Sequence, residues 1–392
     1  MHDFSSLLTR GVDTIIDKDH LLGALSSGKV LRVKFGIDPT GTHIHIGRAV
    51  PLWKLRAFQD VGCQIVLIIG DFTAQIGDAS DKLSKRPFLN SAQVQENMKG
   101  YLEQVGKILD LKACEIHYNS TWLSKLTFRE ICDLAEVFSV AQMIERRNFK
   151  ERWERREEIS VREFLYPLMQ GYDSVVVNAD LEIGGTDQLF NLTAGRRIQH
   201  FYGKPQQDIL TTQMLNGLDG RKMSTSWGNV INIVDTPENQ FGKIMSMRDE
   251  EIIPYFRLAT AVADYDIDSY VHALSTGKNP KDIKEILAFE VVSRYHGTDA
   301  ASRARAQFLA LFRDKQVSRD IPTLSFPQKS CSILEIVLAS NVAKSNSDAR
   351  RLIEQGAVEI NAVTHADPRS IIDLRSDDVL KIGKRHFFRI RV

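Results

Sequence analysis

The segment from residue 31 to residue 52 carries polar groups at positions where packing does not need them. Its apolar residues first alternate, as in a strand, and Asp38–Gly41 then breaks the pattern, because proline cannot continue a strand ladder. Apolar residues at near-helical spacing follow, so we expect a helix to begin there. Backbone N–H groups at a helix start favour an anion. Thr40, His45 and Arg48 add side-chain donors that suit a triphosphate. The alternative to an anion site is that the glycines here only form turns and the histidines are polar residues at the surface.

A second candidate site consists of three polar residues with helical spacing. Tyr166, Gln170 and Asp173 lie at i, i+4 and i+7, so they share one face of a helix. A phenol, an amide and a carboxylate on a segment rich in Leu, Met and Tyr would be costly to bury unless a polar ligand met them. An amino acid is such a ligand. The alternative is an ordinary exposed helix face.

Three loops carry weaker signals. Gly70–Lys82 follows a continuous apolar run that predicts a buried parallel strand, and open α/β sheets bind ligands at such strand ends. Gly184–Gln188 begins with paired glycines, which let a backbone approach a ligand closely. Leu218–Ser226, with its glycines, suits a mobile lid. The alternative for Gly70–Lys82 is an ordinary solvated loop, and a Gly-Gly turn by itself is a weak signal.

Together these segments resemble the class I aminoacyl-tRNA synthetases, in the form of the bacterial tyrosyl enzymes. Asp38–Thr40 followed by His45–Gly47 is similar to the HIGH signature, and Lys222–Ser226 is similar to the second signature, KMSKS. The resemblance covers nearly the whole chain. It implies that ATP and tyrosine form an enzyme-bound tyrosyl-adenylate with release of pyrophosphate, and that the tyrosyl group then moves to the 3′ end of tRNA. Mg²⁺ is expected to accompany ATP, without a tightly bound protein metal.

The resemblance also implies roles for individual residues. The side chains expected to act on the triphosphate are Thr40, His45, Lys82, Arg86 and Lys222. Other residues expected around ATP are Gly36, Asp38, Gly47, Arg48, Gly185, Asp187, Met223 and Thr225. Those expected around tyrosine are Lys34, Thr73, Asp78, Tyr166, Gln170, Asp173 and Gln188. Asp173 is expected to receive the phenol hydroxyl and Asp187 to hold the ribose.

Three residues depart from the family pattern. Arg48 stands where the HIGH motif has its second histidine, and Thr225 where many bacterial members have a second KMSKS lysine. Lys34 stands where many tyrosyl enzymes have a tyrosine that shares the phenol hydroxyl. We expect the Lys34 ammonium either to donate to that oxygen or to point to solvent.

The fold predicted from these elements is a Rossmann-like, doubly wound parallel sheet followed by two smaller domains. The expected parts are a catalytic domain over residues 1–232 with a dimerisation insertion at about 120–165, an α-helical domain over 233–320, a linker over 321–329 and a small α+β RNA-binding domain over 330–392. Over residues 329–392, eleven Lys and Arg against eight Asp and Glu give a net charge of +3, and this excess together with a family motif predicts RNA contacts by Lys344, Ser345, Arg350 and Arg351. We also expect helix, without strand, over residues 1–30, a single helix over 94–108 and a short strand at 175–177.

Composition narrows the class of protein. The chain has 392 residues, 43% hydrophobic and 26% charged, which is typical of globular proteins with two or three domains. Its four cysteines are widely spread, without metal-ligand or disulfide spacing. No export signal or apolar run of membrane-spanning length is present in the sequence, so we expect a cytoplasmic protein with no membrane partner.

Two other functions stay open at this point. The first is a class I synthetase for another aromatic amino acid, although Asp173 disfavours tryptophan, which has no hydroxyl. The second is a noncatalytic relative that keeps the RNA-binding end, although the retained phosphate-facing residues argue against it. The expected partners are tyrosine, ATP, tRNA(Tyr) and a second copy of the chain.

Overall fold

The computed structural model describes residues 4–78, 89–312, 321–343, 345–361, 363–383 and 386–392. The chain divides into two compact units, residues 1–302 and 303–392. The first unit is built on a six-stranded sheet with the order β1-β6-β5-β2-β3-β4. Its strands are β1 (Val12–Ile16), β2 (Arg32–Ile37), β3 (Gln64–Ile69), β4 (Glu115–Tyr118), β5 (Leu181–Gly185) and β6 (Asp208–Thr212). All neighbouring strands are parallel except β1, which is antiparallel to β6 at the edge.

The strand order confirms the predicted doubly wound sheet. The chain proceeds from β2 through β3 to β4 in one direction, and from β5 to β6 in the other. The order therefore reverses between β2 and β5, and a crevice opens at their carboxyl ends. Residues 65–69 of β3 are buried on both faces, as the continuous apolar run predicts.

Helices cover the sheet and form an additional cluster after it. Those that accompany the sheet are α1 (Lys18–Ser26), α2 (Ile46–Asp60), α3 (Thr73–Ile76), α4 (Ser91–Met98), α5 (Tyr101–Val105), α6 (Ser120–Leu123), α7 (Phe128–Ala135), α8 (Val140–Ile144), α9 (Arg147–Glu154), α10 (Val161–Val176) and α11 (Leu189–Phe201). The later helices are α12 (Pro237–Met245), α13 (Ile252–Ala259), α14 (Asp264–Ser275), α15 (Pro280–His296) and α16 (Thr298–Phe312). Among the described residues, no helix is long and apolar enough to span a membrane.

Helix α10 carries the polar trio, and its position is fixed by a cap at its start and by close packing against α11. It begins with a capping box, in which Ser160 and Glu163 satisfy each other's backbone N–H groups. Gly171 lets it lie close to α11, because a Cβ atom there would fall 2.6 Å from the Ile198 side chain. The close packing fixes the face that bears the trio.

Three local predictions are wrong. Val12–Ile16 forms the edge strand β1, although helix was expected over residues 1–30. Val175 and Val176 end helix α10 instead of forming a strand, because packing against α11 outweighs the strand propensity of β-branched residues. The helix expected over 94–108 is divided in two at Gly100, whose φ is +71°.

The second unit is a small α+β structure. Its five-stranded sheet has the order β10-β9-β12-β13-β7, and β11 pairs with β8 in a separate two-stranded sheet. These strands are β7 (Thr323–Ser325), β8 (Ser330–Ser332), β9 (Val358–Ile360), β10 (Val363–His365), β11 (Ile371–Asp373), β12 (Val379–Ile382) and β13 (His386–Arg391), accompanied by α17 (Ile333–Ala339) and α18 (Asn346–Glu354). Its core includes Ile336, Leu380 and Ile390, all fully buried. The domain boundaries expected from the sequence stay predictions.

Candidate active site

A cavity of about 530 Å³ lies at the carboxyl ends of β2, β3 and β5, where the strand order reverses. Among the expected site residues, those that line it are Gly36, Asp38, Thr40, His45, Gly47, Arg48, Thr73, Asp78, Tyr166, Gln170, Asp173, Gly185, Asp187, Gln188, Lys222, Met223 and Thr225. The structure thus gathers both predicted sites, the helix start and the polar trio, around one cavity. Its volume is typical of small-molecule sites.

One wall of the cavity is a chain of hydrogen bonds that ends at Asp173. Tyr166 donates to Asp38 Oδ2 over 2.8 Å, and Thr73 donates to Asp38 Oδ1 over 2.8 Å. Asn119 donates both to Thr73 Oγ1, over 3.0 Å, and to Asp173 Oδ2, over 3.3 Å. A ligand in the cavity therefore meets carboxylates that other side chains already orient.

Asp173 is the deepest acid of the wall, with 3% of its surface exposed. Trp122 Nε1 donates to its Oδ1 over 2.7 Å. Burial raises the pKa of Asp173 from 3.8 to about 7, and the nearby Lys34 charge and the hydrogen bonds from Trp122 and Asn119 oppose that rise. Asp173 is therefore a strong acceptor for a ligand hydroxyl, because a donor in the cavity would further stabilise its charged form.

A further acidic group that lines the cavity is Asp78. Gln188 Nε2 donates to its Oδ2 over 2.7 Å, and Asn191 Nδ2 lies 3.4 Å from its Oδ1. Arg146 in turn donates to the Asn191 amide oxygen over 3.2 Å. Asp78 is 9% exposed, so its charge acts in a poorly solvated place. A cation such as a substrate ammonium fits this side of the cavity.

The start of α2, where we predict the triphosphate to bind, forms another side of the cavity. His45 caps the helix, because its Nδ1 accepts from the backbone N–H of Arg48 over 3.2 Å. Burial lowers the pKa of His45 to about 3, so the imidazole is neutral at pH 7 and keeps its second nitrogen for donation. Arg48 donates to Thr40 Oγ1 over 3.2 Å. Gly47 lets the Met223 side chain approach the start of α2 closely, because a Cβ atom at position 47 would lie 3.2 Å from Met223 Sδ.

The loop expected as a lid lies over the same side. Lys222 Nζ is 3.5 Å from Asp187 Oδ2. The lysine expected to act on the triphosphate therefore forms an ion pair with the acid expected to hold the ribose. Asn229 organises the loop by donating to Lys222 O over 3.1 Å and accepting from the Ser224 N–H over 2.8 Å. One side chain thus holds two backbone groups of the loop, and Lys222 lines the cavity.

The structure contradicts one of the two expectations for Lys34. Its side chain is fully buried, so it does not point to solvent, and Lys34 is not among the residues that line the cavity. Its expected contact with a phenol oxygen stays a prediction. Its ammonium lies 2.9 Å from Glu182 Oε1 on β5. The physical reason is the register of the sheet, which places Lys34 and Glu182 opposite each other.

Three expected residues, Lys82, Arg86 and Lys344, lie outside the described residues. In the second unit, Ser345 caps α18 by accepting from the Asp348 N–H over 3.2 Å. Arg350 and Arg351 are exposed on that helix.

The sequence reasoning missed several residues that complete the site. Asn119 and Trp122 hold Asp173, Asn191 and Arg146 support Asp78, and Glu182 pairs with Lys34. The available signal for the first pair was their place just after β4, at the same sheet edge as the other site loops.

The fold and the cavity together define a nucleotide-dependent enzyme of the class I aminoacyl-tRNA synthetase type, with an anion site at a helix start and a polar site for an amino acid. A family model described as tRNA synthetases class I (W and Y) matches residues 26–313. The chain belongs to this family. A second model, described as a tyrosine–tRNA ligase SYY-like C-terminal domain, matches residues 314–390.

The curated relatives most similar in sequence include tyrosine–tRNA ligases. It is 42% identical to the tyrosine–tRNA ligase of Thermotoga maritima over 98% of this chain and 96% of that protein. It is also 42% identical to the tyrosine–tRNA ligase of Moorella thermoacetica, over 98% of this chain and 94% of that protein. The resemblance to bacterial tyrosyl-tRNA synthetases is therefore confirmed.

Solved structures share the fold at lower sequence identity. A tyrosyl-tRNA synthetase of Archaeoglobus fulgidus, complexed with L-tyrosine, superposes with a TM-score of 0.62 at 22% identity and covers 76% of this chain and 98% of that chain. A C-terminally truncated mitochondrial tyrosyl-tRNA synthetase of Aspergillus nidulans gives a TM-score of 0.64 at 22% identity, over 80% of this chain and 95% of that chain.

Proposed function

We propose that the chain is a tyrosine–tRNA ligase that activates tyrosine with ATP and transfers it to the 3′ end of tRNA(Tyr). The observation that carries the proposal is the buried carboxylate of Asp173, held by Trp122 and Asn119 at the end of the cavity. A carboxylate oriented in this way selects a ligand that carries a hydroxyl. Among the aromatic amino acids found in proteins, tyrosine is the one that offers a ring hydroxyl.

We assign the remaining contacts of tyrosine from the two sides of the cavity. Asp78, Tyr166 and Gln170 hold the ammonium group, and Gln188 lies near the reacting carboxylate. A buried site that binds both ends of the substrate fixes its position relative to ATP. Such positioning can supply a large part of the catalytic effect.

The first step needs no nucleophile from the protein. A carboxylate oxygen of tyrosine attacks the α-phosphorus of ATP, a new P–O bond forms, and the bond to pyrophosphate breaks. Negative charge shifts to the leaving pyrophosphate, and donors from Thr40, His45 and Lys222 stabilise it there. Lys82 and Arg86 are proposed to act on the same group. Mg²⁺ bound with ATP shares this charge.

In the second step, a hydroxyl of the terminal tRNA ribose attacks the carbonyl carbon of the adenylate. The ester to tRNA forms, the bond to AMP breaks, and the leaving AMP phosphate takes the bonding electrons and the proton of the attacking hydroxyl. Asp187 is proposed to hold the ATP ribose through both steps. The small C-terminal unit, with Lys344, Ser345, Arg350 and Arg351, is proposed to contact the tRNA, and a homodimer is proposed through the region around residues 120–165.

Charging of tRNA with labelled tyrosine tests this function. Purified protein is mixed with ATP, Mg²⁺, bulk bacterial tRNA and labelled tyrosine or phenylalanine. We expect acid-precipitable label from tyrosine alone. Binding of tRNA without any charging would instead support the noncatalytic RNA-binding function, and charging with another aromatic amino acid would remove the role given to Asp173.

A further inference from the structure

A buried ion pair lies beneath the cavity, outside its lining. Lys34 on β2 and Glu182 on β5 face each other across the crevice between the two halves of the sheet, and both are fully buried. Their Nζ and Oε1 atoms are 2.9 Å apart. Lys34 Nζ also donates to Gln170 O and to Ser174 Oγ, each over 2.7 Å. The ammonium thus ties both central strands to helix α10.

The Glu182 carboxylate receives donors on both oxygens. Its Oε1 accepts from Lys34 and from Gln170 Nε2, the latter over 3.0 Å. Its Oε2 accepts from Ser174 Oγ, over 3.2 Å, and from Gln207 Nε2. Four donors thus surround the fully buried carboxylate.

The carboxylate at position 182 matters for the side-chain amide of Gln170, whose Nε2 donates to it. A carboxylate only accepts hydrogen bonds, so Gln170 must turn its NH₂ group toward Glu182. Its amide oxygen is then the polar atom that it can offer to the cavity, which it lines. A neutral amide or a protonated acid at position 182 would allow either orientation.

We propose that Lys34 and Glu182 form a positioning pair that orients the Gln170 amide so that its oxygen accepts from the substrate ammonium. Lys34 holds Glu182 Oε1 over 2.9 Å, and the same oxygen accepts from the Gln170 amide over 3.0 Å. This inference rests on the proposed role of Gln170 and gives Lys34 a function that does not require contact with the substrate.

The test compares two ligands that differ in the ammonium group. The variant Glu182→Gln keeps the shape but allows the Gln170 amide to turn. Equilibrium dialysis measures the Kd of labelled tyrosine and, by competition, of 3-(4-hydroxyphenyl)propanoate, which lacks the ammonium. We expect the Kd of tyrosine to rise roughly 10- to 100-fold, since a hydrogen bond to a charged group is lost. The Kd of the analogue and the KM of ATP stay unchanged.

A matched control separates positioning from loss of packing. Gln207→Met removes another donor of Glu182 without touching Gln170, so we expect both ligands to bind as they do to the unaltered protein. In a Gln170→Leu background, Glu182→Gln should cause no further loss, because the amide that it orients is gone. An additive loss in the double variant, or an equal loss for both ligands, contradicts the positioning role.

Two further outcomes keep the inference separate from the function it rests on. If Gln170→Leu leaves the ratio of the two Kd values unchanged, the role of Gln170 itself is wrong. If Gln170→Leu changes that ratio and Glu182→Gln does not, the positioning pair alone is wrong. Should Glu182→Gln fail to fold, the double variant Lys34→Met with Glu182→Gln, which buries no charge, is measured in its place. The same ammonium-specific loss is expected there, and unaltered discrimination would overturn the inference.

Discussion

Replacement of Asp173 by asparagine tests the assignment of the phenol site. The shape of the side chain is kept, but one carboxylate oxygen becomes an NH₂ group. Trp122 donates to one oxygen of Asp173 over 2.7 Å and Asn119 to the other over 3.3 Å, so one of these donors then faces another donor. The phenol hydroxyl of tyrosine also loses a charged acceptor.

These two losses differ in their effect on catalysis. A hydrogen bond to a charged group contributes about 1.5–3 kcal/mol, and a buried donor left without an acceptor costs about 1–3 kcal/mol. The unpaired donor costs stability in the free enzyme and in the transition state alike, so kcat/KM for tyrosine falls only by the lost hydrogen bond to the phenol, about 1.5–3 kcal/mol or roughly 10- to 10²-fold. The KM of ATP should remain near its original value, because Asp173 lies away from the helix α2 start.

The assay is exchange of labelled pyrophosphate into ATP, with tyrosine varied at saturating ATP and then the reverse. Asp268→Asn serves as the control, because its side chain is 72% exposed and lies outside the cavity lining. Unchanged tyrosine kinetics in Asp173→Asn would refute the phenol assignment. An equal loss for tyrosine and ATP would point to general damage.

Three other perturbations have defined outcomes. Because folding raises the pKa of Asp173 from 3.8 to about 7, the folded protein binds the Asp173 proton more tightly than the unfolded chain does. The contribution of Asp173 to the free energy of unfolding therefore decreases as pH rises from 4 to 7. Urea unfolding at several pH values should show that the free energy of unfolding depends less on pH in Asp173→Asn. Gly70→Ala should lower kcat/KM for tyrosine by roughly 10-fold or more, because the new Cβ would lie 1.9 Å from Asp38 Oδ1 and must displace that carboxylate. Tyrosine kinetics equal to those of the unaltered enzyme would show that activity does not depend on the position of the Asp38 carboxylate. Lys222→Met should lower kcat of pyrophosphate exchange by roughly 10²-fold with little change in the Kd of tyrosine. Stopped-flow measurement of the rate of adenylate formation checks this prediction. An unchanged rate would contradict the assignment of Lys222 to the triphosphate site.

The sequence predicted those parts of the site that depend on local periodicity. Tyr166, Gln170 and Asp173 share a helix face because the helical repeat alone brings them together, and α10 does carry them into the cavity. The strand, turn and helix start around Thr40 and His45 also follow from local signals, since apolar alternation, proline and near-helical apolar spacing act over a few positions.

The parts that the sequence could not predict depend on contacts between distant segments. Trp122 and Asn119 reach Asp173 because β4 lies beside β3, and no local pattern announces that pairing. Lys34 was correctly placed in a strand, but its partner Glu182 is set by the register between β2 and β5. Val12–Ile16 became a strand because it completes the edge of the sheet beside β6.

Exchange of labelled pyrophosphate into ATP, run with each of the twenty amino acids and without tRNA, tests the central claim most directly. The proposed function predicts exchange with tyrosine alone, because activation needs the cavity and its phenol-binding acid but no RNA. Exchange with a different amino acid would contradict the pocket assignment while keeping the fold and the reaction. Absence of exchange with all twenty, from folded protein, would contradict the catalytic function itself.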